Sequence, residues 1–497
     1  MRFYQRAITT YDDGLKKYPK SFDLAYNKAL LLYNVAQEKR IVTQIGSLLD
    51  VLKEALDAHR CALTIDQENA DVLFNTAQVL TSFAEELHDE AEDDADIKLQ
   101  AVSLLQEAVE LFNSCLTRQE MEYSEMRELM EEAEHNSGVP LPDARQPTTA
   151  AGSTDDASGE WATVKEPVTP NTLLETALAQ LGSLSSLATI SAPTSSSLLA
   201  NLSEIASPIV TQKLPSYIAL LPTSITIDPD EAKSTPFLSI SASTSTFHAN
   251  QAAQVLNPQA AARAEADLAV AVFTAAIASA EFSSRLSETS QYYSRIQQAF
   301  APLSQNAAGS VYPESSHVPI LSAYADALIE FAETLAEMSN SLSQAGQDEG
   351  LTARWNALET AQAQLTTATN KIGNTPSAEG SPTKAQLYLT RGNVELLRRQ
   401  LALNSGASST LKSNAKVLLK NAGVYYRGAA ALAKQDGDME VEKDGRLRNM
   451  VLQGLEGEVV KEVAEALKEW VEREGGGKDA VEAVNEMIEE GLLGGQE

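Results

Sequence analysis

Residues 7–32, AITTYDDGLKKYPKSFDLAYNKALLL, match residues 55–80, ALDAHRCALTIDQENADVLFNTAQVL, at a shift of 48 positions with no gap. Ala7 falls on Ala55, Leu15 on Leu63, Asp23 on Asp71, Asn27 on Asn75, Ala29 on Ala77 and Leu32 on Leu80. Ile8 meets Leu56, Tyr11 meets His59, and Tyr26 meets Phe74. A self-match at fixed period constrains the fold more than composition does. A unit too small to bury its own apolar face must stack on its copies.

The spacing inside the unit is helical. Ala7, Tyr11 and Leu15 lie one turn apart and form one stripe. KKYPKS then stops the helix, because Pro19 has no N–H and disfavours helix at Tyr18. Ser21 is predicted to cap the next helix, and Asp66 or Asn69 to do so in the second copy. Ala29 and Ala77 are small where two helices approach closely. The unit is a helix–turn–helix.

This pattern resembles the tetratricopeptide (TPR) family. GLKKYPKS and ALTIDQEN look like its turn; LAYNKALLLY and VLFNTAQVLT look like its next first helix, with Ala29 and Ala77 at the consensus glycine. The resemblance implies an all-α, TPR-like helical-repeat solenoid with a peptide-binding groove. The family period is about 34 residues, so the longer shift predicts extra residues in QEKRIVTQIGSLLDVLKEA, as a lengthened helix. The chain opens within a second helix of the repeat.

AVELFNSCL (108–116) is a third copy, with Ala108, Val109, Phe112 and Leu116 on the stripe. An acidic helix, QEMEYSEMRELMEEAEHN, follows, then a stretch that reads as disordered. TLLETALAQLGSL (172–184) resumes the pattern, with Thr176-Ala177 standing where Thr76-Ala77 stand. The organisation this predicts is TPR-like repeats over 1–118, an acidic, partly disordered insertion over 119–170, and helices with a Ser/Thr/Pro-rich loop over 171–262. Helical repeats over 263–372, a linker over 373–384, and C-terminal TPR-like helices with an acidic cap over 385–497 complete it. In the last segment AQLYLTRGNVELLRRQLAL places Gly392 at the consensus glycine, one turn from Tyr388 and Leu396. No partner strand is evident for the β-branched residues near 225.

Composition narrows the function. The net charge of −31 argues against nucleic-acid binding, which needs clustered Lys and Arg, and suits a basic partner. Two cysteines, Cys61 and Cys115, make neither a disulfide framework nor a metal signature, and reduced thiols are expected. The N-terminus lacks the apolar core of a signal peptide, and no apolar run is read as reaching the ~18–20 residues that span a bilayer. The expectation is a protein of the cytoplasm, the nucleus or both, with no membrane partner.

No catalytic constellation is present in the sequence, so no enzyme activity and no cofactor are expected. The five histidines, His59, His88, His135, His248 and His317, form neither HxxxH nor HExxH. EGGGKD lacks the spacing of a phosphate-binding loop, and HDEAEDDAD lacks EF-hand spacing. His59, Cys61 and Cys115 read as packing residues.

Candidate binding residues are therefore groove positions. Some TPR proteins grip the C-terminal carboxylate of heat-shock chaperones with Lys, Arg and Asn side chains. Asn27 and Asn75 stand at the place of one such Asn, beside Tyr26 and Phe74. Apart from Lys28, the basic members are missing from these segments, and 172–184 has none. Arg391 and Arg398, with Arg399, form a second candidate for an anionic peptide, and Trp161 in ASGEWATVKEP a possible docking motif. The expected function is a non-enzymatic protein-interaction scaffold. Within that class the acid suggests an assembly chaperone for a basic client of the ribosomal-protein or histone kind. The alternatives are a subunit of a stable complex and a heat-shock co-chaperone.

Overall fold

The computed structural model describes the chain except residues 1, 39–40, 43–45, 91–93, 138–166, 227–254, 309–310, 339–343, 373–380, 405, 457–476 and 494–497. Trp161, His248 and most of the acidic insertion lie outside the described residues, as does nearly all of the Ser/Thr/Pro-rich loop. The fold is all-α, a succession of helices each packed on its neighbour in sequence, in two units.

The first unit comprises Met1–Ser191 with Leu202–Leu221. It contains α1 (Arg2–Lys17), α2 (Phe22–Gln37), α3 (Leu48–Ile65), α4 (Ala70–Glu90), α5 (Ala95–Ser137) and α6 (Pro170–Ser191). Helix α7 (Ser196–Pro208) runs through a π turn, Ile209–Lys213, into α8 (Leu214–Leu220). Besides their sequence neighbours, α2, α4 and α6 touch one another in series and so form an inner row, with α1, α3 and α5 outside. The 48-residue register survives in the packing: Ala29 and Ala77 are both fully buried. Thr76 and Thr176 are fully buried too, their hydroxyls donating to the carbonyls of Val72 (2.6 Å) and Thr172 (3.0 Å). Ala108, Val109, Phe112 and Leu116 are buried as the third copy requires. A side chain such as Phe112 or Leu116 contributes about 1.5–3 kcal/mol by burial.

The local signals act where the chain turns. Asn69 Oδ1 accepts from the amides of Asp71 and Val72 and caps α4, while Asp66 ends α3. Ser21 sits at the start of α2 without a side-chain cap bond. The extra residues of the long period do not simply lengthen a helix. Among the described residues the helix is broken at Glu38 and at Gly46–Ser47, and Val42 between them is buried. Ser47 accepts from the amide of Asp50 (3.1 Å) and so starts α3 afresh. The acidic segment after the third copy is likewise not a separate helix: α5 runs unbroken through 43 residues to Ser137.

The second unit comprises Ala192–Asn201 with Pro222–Glu497. Its helices are α9 (Pro258–Ser283), α10 (Thr289–Ala308), α11 (His317–Met338), α12 (Gln344–Lys371), α13 (Lys384–Leu403), α14 (Ser409–Asp436), α15 (Met439–Glu456) and α16 (Gly477–Glu489). The partner strand that the sequence does not reveal is present: Ile225–Thr226 pairs antiparallel with Val255–Leu256. Two residues per strand give no readable alternation. The expectation that no segment is long and apolar enough to cross a membrane is corrected by α9, which qualifies by length and composition. It is a core helix here, with Ala264, Ala271, Ala275, Ala278 and Phe282 buried in one cluster with Tyr292, Phe300 and Phe331.

Helices α13 and α14 interlock through glycine. A Cβ on Gly392 would stand near the Tyr426 ring at 2.4 Å, and one on Gly428 would meet the Tyr388 ring at 2.7 Å. Each helix thus accepts a tyrosine of the other in a notch that only glycine leaves open. Thr383 and Gln386 close a capping box at the start of α13. Arg448 of α15, almost fully buried, makes a two-pronged contact with Glu490 and bonds to Asp444 (2.6 Å) and Asn393 Oδ1 (3.2 Å), tying the last helix down.

Candidate functional site

The inner row of the first unit is joined helix to helix by neutral side chains and by one carboxylate, Glu85. Asn75 Nδ2 of α4 donates to the hydroxyl of Tyr26 on α2 (2.8 Å) and to its own Asp71 carbonyl (2.9 Å). Tyr33 of α2 meets Ser82 of α4 (3.2 Å), and Thr81 of α4 meets Ser183 of α6 (2.7 Å). Ser186 of α6 donates to Glu85 of α4. The Glu85 carboxyl is exposed to water yet pushed above its ordinary range, first by loss of hydration among surrounding protein atoms. Exposure combined with desolvation marks a recessed surface.

Of the sequence-predicted residues, Tyr26 and Asn75 are brought together, with Tyr26 also stacked on Phe22 at 5.5 Å. Phe74 turns toward α5 and packs edge-on against Phe112. Asn27 is exposed and stands apart. Lys28, the basic residue of these segments, is engaged by Asp12 of α1 at 2.7 Å. His59 is fully buried edge-on to Tyr33, with Nδ1 bonded to the Ala55 carbonyl (2.9 Å), and burial lowers its pKa to about 4. Cys115 is fully buried, its thiol on the Ala70 carbonyl and pushed up to about 12 by desolvation, whereas Cys61 is exposed.

The inter-helix bonds carry a sequence signal that residue-by-residue alignment passes over. Tyr26–Asn75 and Tyr33–Ser82 are both separated by 49 positions, one beyond the repeat shift. Thr76 and Thr176 set a shift of 100 for the next copy, and Ser186–Glu85 spans 101. Thr81–Ser183 spans 102, so across the row a polar partner sits one or two residues past its equivalent.

In the second unit α9 and α11 touch, as do α10 and α12 and, further along, α13 and α15. Here α11 presents Asp326, Glu330, Glu333 and Glu337 on one stripe, at i, i+4, i+7 and i+11. None of the four is buried from solvent, yet desolvation raises Asp326 to about 6 and Glu333 to about 7, and Glu330 also titrates high. Glu330 and Glu337 add repulsion on Glu333; Arg354 of α12 opposes it, and is itself depressed to about 10 by burial. Among the described residues Asp326, Glu330 and Glu333 make no ion pair within 4.0 Å.

The predicted arginine site is built differently. Arg391 is buried; its guanidinium donates to the Tyr425 hydroxyl (2.8 Å) and lies over the rings of Tyr425 and Tyr388. Arg398 lies on Trp355 at 4.7 Å and reaches Glu359 and Glu395, each at 3.6 Å. Both charges are engaged by their own surroundings. Among the described residues no group of three His, Cys, Asp or Glu side chains is placed to hold a metal ion.

Comparison with known proteins adds little chemistry. No family model matches the chain. It is 30% identical over 143 residues to a UPF0656 protein of Schizosaccharomyces pombe, a match covering 29% of this chain and 30% of that protein. The chain thus matches less than a third of that relative's length. Among solved structures, a circular tandem repeat protein with a novel repeat topology and enhanced subunit contact surfaces aligns over 98% of this chain and 87% of its own, at 13% identity and a TM-score of 0.32.

Proposed function

We propose that the protein is a non-enzymatic, TPR-like interaction scaffold whose acidic α11 stripe holds a basic segment of a client protein. The observation that carries this reading is the α11 stripe. Asp326, Glu330 and Glu333 are desolvated, Glu330 and Glu333 are also repelled by neighbouring carboxylates, and no cation is bonded to the three among the described residues. Lys or Arg side chains of a client entering the stripe would relieve both costs. Opposite charges in partly desolvated surroundings interact more strongly than in bulk water. The charge of −31 acts in the same direction at long range. An assembly chaperone that shields a ribosomal-protein or histone-class client fits this chemistry, and a cytoplasmic or nuclear setting accords with it.

The test is affinity purification of the full chain at about 50 and 300 mM salt, with the retained proteins identified by mass spectrometry. The expected result is enrichment of basic proteins at low salt, falling several-fold at high salt. Asp326→Asn with Glu330→Gln and Glu333→Gln should reduce retention to a similar degree. Retention indifferent to salt, with a partner at fixed stoichiometry, would identify a structural subunit instead.

A further inference from the structure

The sequence assigns the acidic helix after the third repeat to an insertion. The structure makes it the outer end of α5, and that end has a face of its own. Near this point α5 is held to its unit at Glu120, which takes the Tyr217 hydroxyl and Lys213 Nζ. From Ser124 to Ala133 every residue is exposed, although the helix continues unbroken. Three turns of helix therefore project without packing among the described residues.

This projecting end is amphipathic. At 100° per residue Tyr123, Met126, Leu129, Met130 and Ala133 share a sector about 120° wide. Leu129 is 63% and Met130 56% exposed. Leaving such side chains in water is unfavourable by on the order of 1 kcal/mol or more apiece. One border of the sector is Glu125 and Glu132, seven residues and about 10 Å apart; Glu128 lies beyond them. The other border is Arg127, engaged by Glu131 at 3.1 Å. Among the described residues Glu125, Glu128 and Glu132 have no ion-pair partner.

We propose that this end of α5 docks a basic amphipathic helix of another protein. Methionine and leucine give an adaptable apolar seat of the kind used by surfaces that accept varied helices. The carboxylates ask for Lys or Arg seven residues apart on the incoming helix. A second copy of this chain is disfavoured by charge: residues 120–133 hold six glutamates and one arginine, and would meet the same excess. The seat is short, so the contact is weak and reversible. This surface is separate from the α11 stripe and does not depend on its reading.

The experiment titrates the full chain with a synthetic helical Lys/Leu peptide of about 18 residues, with leucines at i, i+3, i+4 and i+7 and lysines seven apart. A scrambled peptide of equal composition is the control. Met126→Gln with Leu129→Gln and Met130→Gln removes the seat at little change in helix propensity. The expected result is binding at about micromolar Kd in low salt, weakened about tenfold or more by the triple variant. Glu125→Gln with Glu132→Gln should weaken binding about threefold and flatten its salt dependence. Deuterium exchange over 121–133 should slow when the peptide is bound. Equal affinity of the triple variant and the natural chain, or of the two peptides, overturns the proposal. So does a fall of several degrees in the melting temperature of the triple variant, which would mean that this chain covers the stripe itself. Sedimentation showing a dimer that the triple variant abolishes would make the occupant a second copy.

Discussion

In the first unit Tyr26–Asn75, Tyr33–Ser82 and Thr81–Ser183 join successive inner helices by neutral hydrogen bonds. In the second, α11, which touches α9 across the intervening helix, offers Asp326, Glu330, Glu333 and Glu337 on one stripe. Neutral bonds hold the helices in register at no electrostatic cost and without titrating. A carboxylate stripe does the reverse, keeping an unfavourable charge that a bound cation can relieve. The α2–α4–α6 row is suited to spacing, and the α11 stripe to the recognition proposed for it. The packing behind them differs as well. Where α2 and α4 use Ala29 and Ala77, α13 uses Gly392, and there the facing group is the Tyr426 ring.

The largest expected effect comes from making the second unit like the first at that position. Gly392→Ala places a Cβ near the Tyr426 ring at 2.4 Å, and that ring is fully buried with its hydroxyl on Asn393 Oδ1 (2.8 Å). The ring has nowhere to go. The gain in helix propensity, about 1 kcal/mol, does not offset the overpacking, and a net loss of about 1–3 kcal/mol is expected. The reverse change, Ala77→Gly, should cost about 1 kcal/mol from backbone freedom. Urea unfolding measures both; a Gly392→Ala chain as stable as the natural one would show that the interlock does not constrain α13 and α14.

The two units should also differ in response to pH. Glu333 titrates near 7 instead of 4.5 when folded, so the folded chain binds the extra proton between those values and stability falls as pH rises through them. Glu333→Gln should therefore stabilise by on the order of 1 kcal/mol above pH 7 and do nothing below pH 4.5. His59 titrates near 4 instead of 6.5, so here the unfolded chain binds the extra proton and stability is lost as pH falls from 6.5 toward 4. That loss reaches about 2–3 kcal/mol. Glu85 in the first unit and His317 in the second are shifted against their unit's trend and blunt the contrast. Thermal melts of Glu333→Gln and His59→Asn from pH 4 to 8 measure the slopes. Unchanged slopes in both variants would mean that neither group couples its titration to folding.

Much of the packing was legible in the sequence, because close helix approach demands small residues at a fixed period: Ala29, Ala77, Thr76-Ala77 against Thr176-Ala177, and Gly392. The groove chemistry was legible only in part. The α11 stripe repeats in plain helical spacing, but its meaning depends on which neighbours strip water from it, and those come from other helices. The continuation of α5 was hidden because an acidic composition reads as a boundary. The short strand pair was hidden because its halves lie 28 residues apart and are two residues long. Arg391 and Arg398 stood out as charges, while the rings that engage them, Tyr425 and Trp355, lie on different helices.

The smallest effect separates the two asparagines that align without a gap. Asn75 finds its partner, Tyr26, on the preceding inner helix, whereas the equivalent Asn27 is exposed. Asn75→Ala removes one inter-helix bond and should cost about 0.5–1.5 kcal/mol. Asn27→Ala should stay within about 0.5 kcal/mol of the natural chain, as exposed substitutions do. If Asn75 serves spacing and Asn27 is free to meet a client, partner retention should respond in the opposite order, with Asn27→Ala weakening it more per unit of stability lost. Equal stability losses in the two variants would mean that the Tyr26 bond contributes nothing, and that the first row is held by its buried alanines and threonines alone.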